Sequence, residues 1–187
     1  MSGVHDVFLK FVGASGGGKT TLVMGLVERA CAMGYQACVI DTRGHYREFA
    51  RAVAIGSADR APDPMEALTV LEKPDIHAVV TLAALAEAAR PAFITDLVRR
   101  LAALQETTGR PHWIVIDEAE HALPARGLKD EVAIAPAENI IYVSADARRL
   151  PPDLLAAANA IVASGDGAGA AIEAIARAIE VPGPLEA

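Results

Sequence analysis

The sequence predicts an α/β fold: a single domain whose mostly parallel, doubly wound sheet carries helices on both faces. Two observations support this. Short apolar segments of strand length alternate with longer segments in which apolar residues recur at the helical period. The short segments are apolar throughout, which is typical of strands buried between two helical layers. A length of 187 residues is enough for one domain with its own core.

Six segments are predicted to be strands because each is short and apolar. They are residues 6–13, 37–42, 77–82, 112–117, 139–145 and 159–164.

Four segments between or after these strands are predicted to be helices, in addition to a short one at 46–53. The first covers 19–33, where Leu22, Val23, Leu26, Val27 and Ala30 fall on one face and Gly34 can end the helix. A brief helix at 65–72 follows the loop 57–64. A longer helix begins at Pro91 with an apolar stripe and ends before Gly109 and Pro111, and the last helix covers 170–180. The stripe of the long helix consists of Ile94, Leu97, Val98, Leu101 and Leu104.

Composition limits the class of protein. No repeat or linker is visible, so we expect one domain over residues 1–180 and a flexible tail over 181–187. The chain has 24 acidic against 17 basic residues, which disfavours a standing nucleic-acid surface. No apolar run reaches the roughly 20 residues of a membrane span. The N-terminus lacks a secretory pattern, so a cytoplasmic location is expected, with Cys31 and Cys38 as buried reduced thiols.

The segment "GASGGGKTT" at 13–21 fits the pattern G-x-x-x-x-G-K-[ST] and lies between a predicted strand and a predicted helix. Its backbone N–H groups and the helix N-terminus are expected to surround phosphate oxygens. Lys19 should reach the β- and γ-phosphates, Thr20 should bind Mg²⁺, and Thr21 should contact the α-phosphate. The alternative is a flexible glycine turn before a helix. The expected nucleotide-binding residues are Gly13, Ala14, Ser15, Gly16, Gly17, Gly18, Lys19, Thr20 and Thr21.

The segment "WIVIDEAEHALP" at 113–124 supplies the acidic partner that such a loop requires. An apolar strand ends in Asp117 and Glu118, at the carboxyl edge of a parallel sheet. We expect Asp117 to hold Mg²⁺ through its water shell and Glu118 to act as the general base for the attacking water. The alternative is a pair of acids that cap the next helix. Glu120 and His121 are interpreted as helix-face residues, with His121 near the phosphates as the second option.

Four segments resemble the HerA–FtsK superfamily of P-loop ATPases (RecA/FtsK-like), especially its HerA-like and conjugation-ATPase branch. They are "GASGGGKTT", "VIDTRGHYREF", "WIVIDEAEHALP" and "RRLPPDLLAAANAIVAS". The second resembles that branch's strand followed by Asp, a short turn and Tyr, which matches Asp41 and Tyr46. From the residues alone, Asp41 is interpreted as a turn cap, with Mg²⁺ or Lys19 support as the second option, and Tyr46 as a packing residue.

The resemblance implies an ATP-driven motor, usually a hexameric ring that acts on DNA, and we expect this chain to represent its catalytic core alone. Family members place a glutamine near the end of the sensor strand, where this chain has Ala145. Ser144 is the candidate replacement, because Asp146 would be repelled by phosphate. Candidates for an arginine inserted into a neighbour's site are Arg126, Arg148 and Arg149, and the alternative for each is a surface charge.

Two functions therefore remain open. One is a Mg²⁺-dependent ATPase, HerA/FtsK-like, which uses ATP and Mg²⁺ and drives a protein partner or a homo-oligomeric ring. The other is an ATP-binding module with little turnover that controls protein contacts, which Ala145 and the acidic charge favour. A P-loop kinase is a weaker hypothesis, because no arginine-rich lid segment is visible in the sequence.

DNA is a partner only by the resemblance, and no membrane association is expected. ATP is preferred to GTP by the resemblance alone, and His5, His45, His77, His112 and Trp113 receive no functional role.

Overall fold

The computed structural model describes residues 9–12, 18–46, 49–123, 139–146, 149–151, 154–155 and 158–178. Seven strands lie in this part of the chain: β1 Leu9–Val12, β2 Ala37–Asp41, β3 Ala52–Ile55, β4 His77–Thr81, β5 Trp113–Ile116, β6 Ile140–Ser144 and β7 Ala160–Ala163. The helices are α1 Lys19–Ala32, α2 Pro64–Leu71, α3 Arg90–Thr108, α4 Ala119–Ala122 and α5 Ala168–Ala178, with a 3₁₀ turn at Glu87–Ala89 before α3.

The strands form one sheet in the order β3-β4-β2-β5-β6-β1-β7, and every ladder between them is parallel. Parallel strands must be joined by crossovers, which place helices on the faces of the sheet. β6 lies between β1, which precedes the glycine-rich segment, and β5, which precedes Asp117. The α/β fold with a parallel, doubly wound sheet is therefore confirmed.

Alternate residues of the central strands enter two separate cores, because successive side chains of a strand point to opposite faces. Ala37 and Val39 of β2 pack with Val23 and Val27 of α1 on one face. Cys38 and Ile40 point to the other face, where α2, α3 and α5 pack. Helices therefore cover both faces of the sheet, as the sequence predicts.

The predicted buried face of α1 was partly wrong. Val23 and Val27 are buried as expected, but Leu22 and Leu26 are 47% and 39% exposed. The sheet contacts only a narrow stripe of this helix, so its flanking leucines remain in contact with solvent. In contrast, Ile94, Leu97, Val98 and Leu101 of α3 are all buried, and Leu104 packs against the same core.

The short helix expected over residues 46–53 was wrong. Residues 52–53 belong to β3, an edge strand that sequence reasoning missed. Arg51 has a left-handed backbone (φ 57°), which interrupts any helix there. Val53 and Ala54 are exposed because β3 is an edge strand that pairs only with β4, although its sequence, AVAI, is as apolar as that of the predicted strands.

The other helix ends follow the signals in the sequence. The Asp63 side chain accepts from the Met65 N–H (2.9 Å) and caps α2, with Pro64 as its first residue. Gly109 ends α3 with φ 69°.

Of the two cysteines, Cys38 is buried and Cys31 is half-buried, and both are free thiols. The expected tail at 181–187 lies outside the described residues.

Truncation of a core residue of α3 tests this packing. We expect Leu97→Ala to lower the free energy of unfolding by about 2–5 kcal/mol, because the side chain is fully buried and leaves a cavity. For a domain of this size that is a fall in Tm of roughly 5–15 °C, measured by calorimetry. Leu26→Ala is the control, since its side chain is exposed. An equal loss of Tm in the two variants would contradict the packing.

Candidate functional site

A pocket of about 270 Å³ opens at the carboxyl edge of the sheet, where β5 and β6 end and α1 begins. The carboxyl ends of parallel strands meet at one edge, which is the common place for ligands in such sheets. Its walls come from four separate segments of the chain. They are Gly18, Lys19, Thr20, Thr21, His45, Asp117, Glu118, Val143, Ser144 and Ala145.

The first turn of α1 forms one wall of this pocket. Gly18 caps the helix with a left-handed backbone (φ 78°, ψ 8°), which a side chain would disfavour. Lys19 follows and is only 9% exposed, while Thr20 is half-buried and Thr21 is exposed. The N–H groups of a first helical turn have no partner within the helix and favour anions. Gly13, Ala14, Ser15, Gly16 and Gly17 lie outside the described residues.

Asp117 and Glu118 lie directly after β5, as the sequence predicts, but their backbones differ. Glu118 has a left-handed conformation (φ 48°, ψ 48°), which is costly for a residue with a side chain. Its N–H donates to Asp117 Oδ1 (3.0 Å), and its carbonyl accepts from the N–H groups of His121 and Ala122. These bonds hold a conformation that turns the chain abruptly from β5 into α4.

The Asp117 carboxylate is 2% exposed, and its Oδ2 atom has no hydrogen-bond partner among the described residues. Burial raises the pKa of Asp117 to about 6; the bond from the Glu118 N–H opposes this rise, while the charges of Asp41 and Glu118 add to it. His45 Nδ1 lies 3.7 Å from Oδ2. A buried carboxylate with a hydrogen bond to only one of its two oxygens is a costly feature, and such features concentrate at functional sites.

The Glu118 carboxylate is held from the neighbouring β2 side. Its Oε2 atom accepts from the Thr42 hydroxyl (2.9 Å) and forms an ion pair with Arg43 Nε (2.6 Å). Arg43 is exposed, whereas the Glu118 side chain is 22% exposed. Two donors of one turn therefore fix the direction of this side chain at the edge of the pocket.

That turn, residues 42–46, is organised by Asp41. The Asp41 carboxylate is fully buried and accepts from the backbone N–H groups of Arg43 (3.1 Å), Gly44 (2.7 Å) and Tyr46 (3.0 Å). The interpretation of Asp41 as a turn cap agrees with this arrangement. Asp41 thus acts on the pocket through the turn it holds.

Tyr46 packs in the core under α1, as expected, yet its hydroxyl is buried without a hydrogen bond among the described residues. Burial raises the pKa of Tyr46, as do Asp117 and Asp41, while the Thr20 hydroxyl opposes this rise. The phenol therefore lies beside the same groups that the sequence predicts to hold a metal ion. Sequence reasoning assigned it to packing alone.

Two residues near the pocket were missed by sequence reasoning. His45 lines the pocket, and only its place in the turn after β2 could have indicated this. Glu120 was interpreted as a helix-face residue, but it is 2% exposed and its Oε1 atom accepts from the Ala145 N–H (2.8 Å). No local pattern in the sequence indicates this contact, because it joins residues 25 positions apart. His121, the alternative near the phosphates, does not line the pocket.

Ser144 and Ala145 form the wall between α1 and Glu118, because β6 lies between β1 and β5. The Ser144 hydroxyl accepts from the Asp146 N–H (3.1 Å). Arg149 is exposed and does not line the pocket. Arg126 and Arg148 lie outside the described residues.

The donor set suits Mg²⁺. Among the described residues, no three His, Cys, Asp or Glu side chains are grouped to hold a metal ion by themselves. Mg²⁺ commonly takes one or two protein oxygens and completes its shell with water and substrate phosphates. The Thr20 hydroxyl and Asp117 Oδ2, which has no hydrogen-bond partner among the described residues, offer such oxygens in one pocket.

Within the described part of the chain, none of the helices combines the length and apolar character needed to span a bilayer. No protein-family model matches the sequence. The search of curated proteins gave no match.

Solved structures of one viral protein have the same fold. It is the genome packaging NTPase B204 from Sulfolobus turreted icosahedral virus 2. Its complex with ATPγS matches with a TM-score of 0.69 and 16% sequence identity, over 93% of this chain and 82% of that chain. The complex with AMPPCP gives a TM-score of 0.68 at 16% identity, over 94% and 84% of the two chains. The complex with AMP gives 0.63 at 15% identity, over 95% and 88%. The chain therefore has the fold of a P-loop NTPase.

Neutralisation of Asp117 tests the electrostatic cost of burying its carboxylate. We expect Asp117→Asn to stabilise the nucleotide-free protein at pH 8 by up to about 3 kcal/mol, since one pKa unit is worth about 1.4 kcal/mol. The folded-state pKa of Asp117 is raised, so wild type carries the penalty above about pH 6 and loses it as the pH falls toward 4. The gain in Tm, measured by calorimetry between pH 5 and 8, should therefore shrink at the acid end.

Asp96→Asn is the matched control for this prediction. Its carboxylate pairs with Arg100 and Arg99, and these pairs hold the pKa of Asp96 below its usual value. We expect no gain in Tm from this change. A gain for Asp117→Asn that is independent of pH would contradict the assigned cause.

Proposed function

We propose that the protein is a Mg²⁺-dependent P-loop ATPase. One observation carries the proposal: Lys19 and Thr20 at the start of α1 line the same pocket as Asp117 and Glu118 at the end of β5. These segments are far apart in sequence and meet across the end of β6. A cation, a hydroxyl and two carboxylates in one pocket are the groups that phosphoryl transfer to water requires.

The roles of the residues follow from their places. The first turn of α1 and residues 13–17 cradle the phosphates with backbone N–H groups, and Lys19 neutralises charge on the β- and γ-phosphates. Thr20 and Asp117 hold Mg²⁺, which when bound neutralises charge that develops on the phosphate oxygens. Glu118 accepts the proton of the attacking water.

The turn after β2 supports this base. Thr42 and Arg43 hold the Glu118 carboxylate by one of its two oxygens, so the side chain keeps a defined position at the pocket. A base must lie within hydrogen-bond reach of the proton it removes, and a fixed side chain loses less entropy when it reacts. Arg43 and Thr42 are therefore positioning residues of the proposed reaction.

The alternative is an ATP-binding module with little turnover, whose nucleotide state controls protein contacts. Two observations favour it: Ala145 offers no polar side chain, and Ser144 already bonds the Asp146 N–H. In that case Ala145 contributes no side chain that orients the water, and the Ser144 hydroxyl has one acceptor position already occupied. Steady-state release of phosphate by the purified protein separates the two functions.

The resemblance to the HerA–FtsK superfamily, with ATP as the substrate, supports a homo-oligomeric ring and a protein partner as part of the proposal. The fold shared with a genome packaging NTPase agrees with this resemblance. The excess of acidic over basic residues disfavours tight binding of DNA by this domain alone. We propose that an arginine from a neighbouring subunit, Arg126, Arg148 or Arg149, completes the site.

Removal of the phosphate-binding lysine tests nucleotide binding. Mg·ATP at about 100 times its Kd should stabilise wild type by roughly 2.7 kcal/mol, a rise in Tm of about 5–10 °C for a domain of this size. We expect Lys19→Ala to lose most of this rise, whereas Lys73→Ala, at an exposed position, keeps it. The proposal fails if wild type shows neither a shift in Tm nor binding by calorimetry.

Replacement of the proposed base tests the chemistry. We expect Glu118→Gln to bind ATP normally and to hydrolyse it about 10²–10⁴-fold more slowly, the usual contribution of a positioned base. Phosphate release measures the rate, and Glu72→Gln on the exposed surface is the control. An unchanged rate would remove Glu118 from the mechanism. A wild-type rate equal to that of buffer would support the binding module instead.

A further inference from the structure

Glu120 makes a specific polar contact that the proposed mechanism does not use. It lies in α4, two residues after the proposed base, and its side chain turns toward β6. Its Oε1 atom accepts from the Ala145 backbone N–H at 2.8 Å. Its Oε2 atom is buried and has no hydrogen-bond partner among the described residues.

Burial of the Glu120 carboxylate carries an energetic cost, and packing alone does not explain why a glutamate occupies this position. The residue is 2% exposed, and its neighbours Ala119 and Ala122 pack in the core. Burial of a carboxyl group is unfavourable unless hydrogen bonds replace its water. An apolar residue of similar size would avoid this cost, so the bond to Ala145 is the feature that requires a polar side chain with this reach.

The bond between Glu120 and Ala145 lies beyond the end of the ladder between β5 and β6, where backbone pairing no longer connects these two strands. The ladder between β5 and β6 ends at the pair Ile116–Tyr142. Beyond that pair, the chain of β5 leads to Asp117 and Glu118, and the chain of β6 leads to the pocket wall at Ser144 and Ala145. Glu120 ties these two continuations together across a sequence separation of 25 residues.

We propose that Glu120 is a positioning residue that fixes the wall at Ser144 and Ala145 relative to Glu118, and so sets recognition of the terminal phosphate. The inference rests on the proposed function, and it concerns the side of the pocket where the terminal phosphate and the attacking water lie. Ala145 takes part through its backbone, since its methyl side chain has no polar group. A displacement of about 1 Å between such groups costs up to roughly 10²-fold in rate.

Two conservative variants separate the effect of side-chain length from the effect of charge at residue 120. Glu120→Gln keeps the length of the side chain and the oxygen acceptor but removes the charge, whereas Glu120→Asp keeps the charge but is one methylene too short for the Ala145 N–H. We expect Glu120→Asp to lower kcat for ATP by about 10–100-fold and to raise KM about 10-fold, because the displaced wall would bind the terminal phosphate less tightly. Glu120→Gln should stay within about 3-fold of wild type, because the hydrogen bond persists.

A binding measurement tests the same inference without turnover. Calorimetry gives the Kd of Mg·ADP and of Mg·AMPPCP for each protein, and their ratio reports the contribution of the terminal phosphate. We expect Glu120→Asp to reduce this preference for the triphosphate about 10-fold at an unchanged Kd for Mg·ADP, and Glu120→Gln to preserve it. Glu106→Asp, on the exposed surface of α3, is the control and should match wild type.

The outcomes distinguish this inference from the proposed function. Equal loss in both variants, loss in Glu120→Gln alone, or no loss in either would overturn the positioning role while the proposed function stands. A fall in Tm without a change in the ratio of Kd values would reduce Glu120 to a structural residue. Wild type that binds neither nucleotide overturns the proposed function and this inference with it.

Discussion

The carboxylate of Asp41 is the interaction on which the candidate site depends. It is fully buried at the end of β2 and accepts three backbone N–H groups of the turn that follows. A buried carboxylate is tolerated when hydrogen bonds replace its water, and three such bonds fix the backbone of the turn. From this turn, Thr42 and Arg43 contact Glu118, and His45 lines the pocket.

Several buried acids lie at or near the pocket, and their burial lowers the stability of the fold. Asp41, Asp117 and Glu120 are all buried at one edge of the sheet, and the last two each have an oxygen without a partner among the described residues. Glu118 adds a left-handed backbone. Natural proteins retain such unfavourable features where function requires them, which is why their clustering supports an active site. Under the proposed function, a divalent cation and a phosphate chain in the pocket would offset the cost of the two carboxylates that line it, Asp117 and Glu118.

The sequence predicted the parts of the fold that rest on a strong local pattern. Buried strands, the stripe of α3 and its end before Gly109 were all visible, because each depends on nearby residues. β3 was not, since its four apolar residues (AVAI) also fit the end of a helix, and the left-handed Arg51 that interrupts a helix there is set by tertiary packing.

The same distinction between local patterns and contacts of distant residues applies to the candidate site. The sequence placed Lys19, Thr20, Asp117 and Glu118 at one edge, because a motif between a strand and a helix fixes their position. The contacts of Arg43 with Glu118 and of Glu120 with Ala145 join residues that are distant in sequence. A single sequence carries no signal for such pairs.

The place of β1 in the sheet has a consequence for how the chain folds. Leu9 pairs with Ile141 on one side and with Ala160 on the other, so the first strand described has only late partners. A polypeptide emerges from the ribosome N-terminus first, and contacts of such long range form slowly. β1 therefore reaches its full set of neighbours only after β6 and β7 have both been synthesised. A nascent chain that stops before residue 140 leaves β1 without either neighbour, so the strand that precedes α1 joins the sheet after most of the other strands have paired.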